Sequence, residues 1–171
     1  MNAQGPGQDR AAIAAMLAAH HTLTLATCRD GLPWAATVFF ASDAAFNLYF
    51  VSDRRTRHAQ DMAACPEVAL AIDADPDGWH AVRGLQVTGT AALAAGADRP
   101  RVLALYLEKF ASVKALFEQP RSADEKIIAT RLQHTDFWCV RPDYIRLVDN
   151  SRGFGFRIEW RPGDAAAASP G

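Results

Sequence analysis

Three stretches of strand character follow one another between Thr22 and Ser52, and the links between them are very short. Residues 22–28 (TLTLATC) alternate and carry β-branched side chains, the pattern of a half-buried strand. Residues 34–41 (WAATVFFA) and 46–52 (FNLYFVS) have the same character. The links are RDGLP, with Asp-Gly and a proline, and SDAA, both of turn composition. Parallel neighbours need a crossover of about a dozen residues or more, so 22–52 is expected to be an antiparallel meander and a doubly wound sheet is excluded.

The rest of the chain extends this pattern. RRTRHAQDMAAC is helical in character and stops at Pro66, 67–73 reads as a strand, and DPDG is a turn. Residues 80–93 form a long strand in which Gly84 and Gly89 predict bulges or bends. Asp98-Arg99-Pro100 starts a helix with Val102, Leu103, Tyr106, Leu107 and Phe110 as its inner face. Helical character continues to Leu132 with a break near Gln119-Pro120, and strands at 136–140 and 143–148 flank Arg141-Pro142. Ahead of the meander, Asp9 is placed to cap a helix from Arg10 to about His20 whose apolar side is Ile13, Met16 and Leu17. Flexible ends are expected at 1–8 and 163–171, around one domain over 9–162. The fold class is therefore mainly β with helical insertions, in a small closed or partly closed antiparallel barrel.

Composition narrows the function. At 171 residues, 50% hydrophobic, the chain can bury one globular core. A net charge of -1 gives no general pull toward nucleic acid or an anionic membrane. Cys28, Cys65 and Cys139 are far apart and in no metal-ligand spacing, so they are expected to be reduced thiols packed as small hydrophobes. The N-terminal residues lack a signal-peptide pattern and no window carries the unbroken apolar run of a membrane helix, so a soluble, cytoplasmic protein is expected.

The sharpest chemical signal is Ser52-Asp53-Arg54-Arg55-Thr56-Arg57-His58, where a strand gives way to a helix. Three arginines and a histidine crowd a helix start that is already electropositive. A bound phosphate would reconcile them, held by N–H groups, hydroxyls and guanidinium forks. A solvated basic turn capped by Asp53 is the plain alternative. Gln86 lies mid-strand between Gly84 and Gly89. It is either an outward-facing glutamine or an amide that reads the edge of a planar ligand brought close by the glycines. In DNSRGFGF, Asn150 and Phe154 belong to an ordinary closing loop or to a lid that lays Phe154 or a nearby arginine on a ring. No dinucleotide fingerprint, P-loop, zinc-protease motif or nucleophile elbow is present.

Taken together, TLTLATCRDGLPWAATVFF, LYFVSDRRTRHAQDMAACPEVALAI and RGLQVTGTA resemble the pyridoxamine 5′-phosphate oxidase-like FMN-binding split-barrel superfamily over about residues 10–160. TRHAQ, RGLQVTG and DNSRGFG are similar to motifs of a small bacterial subfamily within it. The resemblance implies a six-stranded antiparallel split barrel that forms a homodimer, with FMN in a groove at the subunit interface. It places Ser52, Arg57 and His58 at the FMN phosphate, counts Val51 among the cofactor-binding residues, and sets Ala36, Thr37, Val38 and Phe39 along the isoalloxazine. Gln86 would reach the phosphate or a polar edge of the flavin, with Asn150 and Phe154 covering the ring. Where the superfamily commonly has arginine-lysine this chain has Arg57-His58, which implies a pH-sensitive or weaker second phosphate contact. True pyridoxamine-phosphate oxidases carry an arginine-histidine substrate pair near the C-terminus. This chain has DFWCVRPDYIRLVDN there, without the pair, which argues against that substrate.

Two functions follow from the resemblance. One is an FMN-dependent oxidoreductase exchanging hydride with a nicotinamide donor or small molecule. The other is a non-catalytic module binding flavin, deazaflavin or haem.

Overall fold

The structure, a computed structural model, describes residues 6–94 and 96–162, with the side chains of Pro6 and 131–134 outside the description. The ends expected at 1–5 and 163–171 lie outside the described residues, while 6–8 begin the first helix. Seven strands form one sheet: β1 (Thr22–Arg29), β2 (Leu32–Ser42), β3 (Leu48–Val51), β4 (Glu67–Asp73), β5 (Arg83–Leu93), β6 (Phe137–Asp149) and β7 (Arg157–Trp160). Their order is β3-β2-β1-β4-β5-β6-β7, and β3 also pairs with β6, which closes six strands into an antiparallel barrel.

The meander forms as expected, and its first turn is tighter than its composition suggests. Asp30 (φ 54°) and Gly31 (φ 76°) alone link β1 to β2. Two successive left-handed residues match the right-handed twist of the strands, which Asp-Gly permits at little cost. At the second turn Asp43 accepts hydrogen bonds from the amides of Ala45 and Asn47, each at 3.0 Å, so strand pairing resumes only at Leu48.

The expected strands 136–140 and 143–148 are one continuous β6. Thr88 pairs with Tyr144 and Gly89 with Pro142, so Asp143 is the extra residue and the bulge belongs to β6. The bulge accommodates a proline that cannot donate to the ladder. Gly89 is what lets β6 approach there, since a Cβ would lie 2.4 Å from the Arg141 carbonyl oxygen. Gly84 stays in regular register and provides a close approach to Ile72 instead.

Helix α1 (Pro6–Ala19) begins before Asp9, which sits in its first turn and is not its cap. As expected, Ile13, Met16 and Leu17 are buried, and they join Leu23, Leu25, Phe40, Phe50, Val87 and Ile145 in the barrel interior. Helix α2 (Arg57–Ala64) adds Ala59 and Met62 to that core. A second cluster lies outside the barrel wall. There α3 (Asp98–Lys109) and its last cap place Val102, Tyr106 and Phe110 against Tyr49, Phe137 and Cys139. Leu103 is partly packed with them, and Leu107 is only half-buried. Helices α4 (Ala111–Glu118) and α5 (Ala123–His134) complete the insertion before β6. Among the described residues, no helix is long and apolar enough to cross a membrane.

Candidate functional site

Ser52 follows the last residue of β3 and is buried, its amide donating to the Asp136 carbonyl at 3.3 Å. Strand alternation sends Val51 the other way, into the cluster under α3. Four residues later Thr56 caps α2, its hydroxyl accepting the Ala59 amide at 3.4 Å. The expected cap, Asp53, instead accepts the Arg55 amide at 2.8 Å and shapes the turn before the helix. Ser52, Thr56 and His58 close a triangle: Ser52 Oγ lies 2.6 Å from His58 Nε2 and 3.0 Å from Thr56 Oγ1, and Thr56 Oγ1 lies 3.2 Å from the same Nε2. Helix geometry leaves the amides of Arg57 and His58, in the first turn of α2, without intrahelical acceptors. Burial pulls His58 below its usual 6.5 against the opposing charge of Asp61, which leaves a neutral imidazole at neutral pH.

The three arginines have separate roles. Arg54 donates to Asp136 at 2.5 and 3.1 Å, and Arg55 to Asp53 at 2.6 to 3.2 Å. Those hydrogen bonds hold the Asp53 carboxyl at about 2. Only Arg57 turns toward the barrel, where it stacks 4.4 Å from the Trp34 ring centroid and lies 3.8 Å from Asp61. Asp61 is 1% exposed and accepts from Thr27 Oγ1 at 3.0 Å, with Arg29 3.4 Å from its other oxygen. Its carboxylate is thus occupied by Thr27, Arg29 and Arg57, and it acts on His58 through charge alone. No Ser–His–Asp relay is assembled.

The remaining expected residues fall in other places. On β2, Ala36 pairs with Leu25 and Val38 with Leu23, on the interior face of the barrel. Thr37 pairs with Thr24 and Phe39 with Thr22 on the outside, so the four side chains alternate between two faces. Phe39 is exposed and meets Phe110 edge-on at 5.6 Å. Gln86 is exposed on the outer face, between Ala71 and Arg146. It lines a shallow depression of about 370 Å³ with Thr24, Ala26, Ala69 and Tyr144. The structure therefore joins Ser52 and His58 in one cluster with Thr56, sends the neighbouring Arg57 side chain to Trp34 and Asp61, and leaves Gln86 on the outer face between Ala71 and Arg146.

Asn150 ties two turns together. Its side chain donates to the Trp79 carbonyl at 2.7 Å and accepts the Gly155 amide at 3.0 Å. That holds Phe154, 83% exposed, edge-on to Trp79 at 5.8 Å. Sequence reasoning missed Trp79, Trp34, Thr27, Arg29 and Asp61. Of these, Asp61 carried a signal, a carboxylate four residues after Arg57 on one helix face. The cysteines also differ from expectation, since only Cys139 is buried while Cys28 is exposed and Cys65 intermediate.

A family model described as pyridoxamine 5′-phosphate oxidase matches residues 10–139. UPF0306 protein YhbP of Salmonella paratyphi C is 30% identical over 150 residues, spanning 87% of this chain and 90% of the relative. The heme binding protein from Mycobacterium smegmatis has a similar structure, with a TM-score of 0.67 at 22% identity, covering 98% of this chain and 62% of that one. HutZ, the heme storage protein from Vibrio cholerae, has a TM-score of 0.61 at 18% identity, covering 77% and 88%. At such identities the two structures speak for the fold alone.

Proposed function

Because the chain belongs to the pyridoxamine 5′-phosphate oxidase family, we propose that it is an FMN-binding split-barrel flavoprotein, working as an oxidoreductase on a nicotinamide donor or a small molecule. The observation that carries this reading is the cluster at the β3–α2 junction. Two hydroxyls, a neutral imidazole and Arg57 stand beside the unpaired amides of a helix start. This donor set has the chemistry of a phosphate site, because hydroxyls and amides give short neutral hydrogen bonds and the guanidinium supplies charge.

In this reading Ser52, Thr56, Arg57 and His58 hold the FMN phosphate, and Trp34 and Asp61 fix the Arg57 guanidinium. The backbone of 36–39 borders the ring, and Gln86 offers its amide to a polar edge from a second protomer. Asn150 keeps Trp79 and Phe154 together as an aromatic cover. FMN, when bound, supplies hydride acceptance and donation at N5. The protein's part is to bind, orient and shield the ring. DFWCVRPDYIRLVDN lacks the arginine-histidine pair of pyridoxamine-phosphate oxidases, and this supports a different substrate.

The same reading includes a homodimer with the site at its interface. Its support is the outer face of β1 and β4, where Thr24, Ala26, Ala69 and Ala71 form a platform without long side chains. Small residues let two sheet faces approach closely.

A second reading is a non-catalytic flavin-, deazaflavin- or haem-binding module, favoured by the fold shared with a heme binding protein. One experiment separates the two. The purified protein is mixed with FMN or with haem, desalted, and its absorbance spectrum recorded before and after NADPH. Retained flavin bands that bleach support the oxidoreductase. Flavin that no donor reduces, or retention of haem in place of FMN, supports the module.

A further inference from the structure

Arg54, Arg55 and Arg57 lie at the β3–α2 junction and Arg29 reaches α2 from the end of β1 through Asp61, and the four fall into two pairs. Arg54 and Arg55 are spent, each forked onto a carboxylate of its own at hydrogen-bond distance. Arg29 and Arg57 are different. Both flank Asp61 through Nε, at 3.4 and 3.8 Å from opposite oxygens of one carboxylate, and the carboxylate's own hydrogen bond comes from Thr27. Among the described residues neither guanidinium forms a hydrogen bond, and their side chains are 41% and 45% exposed while that of Asp61 is 1% exposed.

A buried carboxylate thus stands between two half-exposed guanidiniums, that of Arg57 in the first turn of α2 and that of Arg29 at the end of β1. An arginine has five donors, and an ion pair through Nε leaves both terminal nitrogens for a second acceptor. We propose that Arg29 is a second anion-binding arginine of this site, and that Asp61 is the positioning residue that presents Arg29 and Arg57 together to a terminal phosphate. This rests on the phosphate reading of the Ser52–His58 junction.

The test compares FMN with riboflavin, which lacks the phosphate, by quenching of flavin fluorescence. It uses the full chain and the variants Arg29→Ala, Arg29→Lys, Arg57→Ala and Asp61→Asn, each checked for a cooperative thermal transition. Losing one charge-assisted contact weakens FMN binding roughly ten- to a hundredfold. That loss is expected for Arg29→Ala and Arg57→Ala, with riboflavin unaffected. Arg29→Lys keeps the charge without the fork, so a smaller loss is expected, and it replaces Arg29→Ala if that variant unfolds. Asp61→Asn discriminates by sign. Simple charge predicts tighter FMN binding when a nearby anion is removed, whereas a positioning carboxylate predicts weaker binding. FMN affinity unchanged in Arg29→Ala but lost in Arg57→Ala overturns this proposal and leaves the phosphate reading standing. Tighter binding by Asp61→Asn overturns the positioning role. Equal affinity of the unaltered protein for FMN and riboflavin, or retention of neither, overturns both readings.

Discussion

At the scale of single residues, Thr56 and His58 each serve the helix start as well as the site. Thr56→Ala removes the cap of α2 and one corner of the hydroxyl–imidazole triangle, and is expected to cost about 1 kcal/mol in chemical denaturation. His58 has a sign that can be worked out. Its folded pKa lies below the 6.5 of an unburied imidazole. Between the two values the unfolded chain binds a proton that the folded chain refuses, so stability falls as pH drops through and below the usual histidine range. The thermal midpoint of the natural protein should therefore decline more steeply between about pH 7 and pH 5 than that of His58→Asn. Parallel declines would show that His58 is not the group responsible. Ser52, Arg57 and His58 were legible in the sequence because seven consecutive residues carry them across one strand-to-helix junction. Arg29 was not, because its relation to Asp61 spans β1 and α2 and depends on how those elements pack.

At the scale of elements, two glycines test two different constraints. A Cβ on Gly89 would meet the Arg141 carbonyl oxygen at 2.4 Å and Pro142 Cα at 3.0 Å, both of them backbone atoms. Gly89→Ala must push β6 away and is expected to destabilise by about 1–3 kcal/mol or more, read as a lower urea midpoint. Gly31 has open space around it but a φ of +76°. Gly31→Ala is expected to cost about 1–2 kcal/mol through backbone strain alone, with β-sheet spectra unchanged. The Asp30-Gly31 turn was readable because a two-residue hairpin is specified by its own residues. The continuity of β6 was not. Arg141-Pro142 looks like a break locally, and only the bulge opposite Gly89 makes it part of a strand.

At the scale of the whole molecule, the barrel buries its interior against α1 and α2 and leaves the Ala/Thr platform of β1 and β4 outside. If that platform is the dimer face of the proposed function, Ala69→Arg places a charged, long side chain at its centre. The variant is expected to sediment as a folded monomer and to lose FMN, while the unaltered chain sediments as a dimer. An unaltered chain that is monomeric at micromolar concentration and still retains FMN would remove the interface from the reading.

The sequence by itself determined the strands of the meander, the Asp-Gly hairpin, the apolar faces of α1 and α3, and the junction that gathers Ser52, Arg57 and His58. Each is specified by turn chemistry, periodicity or capping within a few residues. Tertiary structure alone decided that β3 pairs with β6 to close the ring, that Thr27 and Arg29 meet Asp61, and that Asn150 joins Trp79 to Phe154. These relations join residues about 30 to 90 positions apart. They depend on register and barrel closure, which no local propensity encodes.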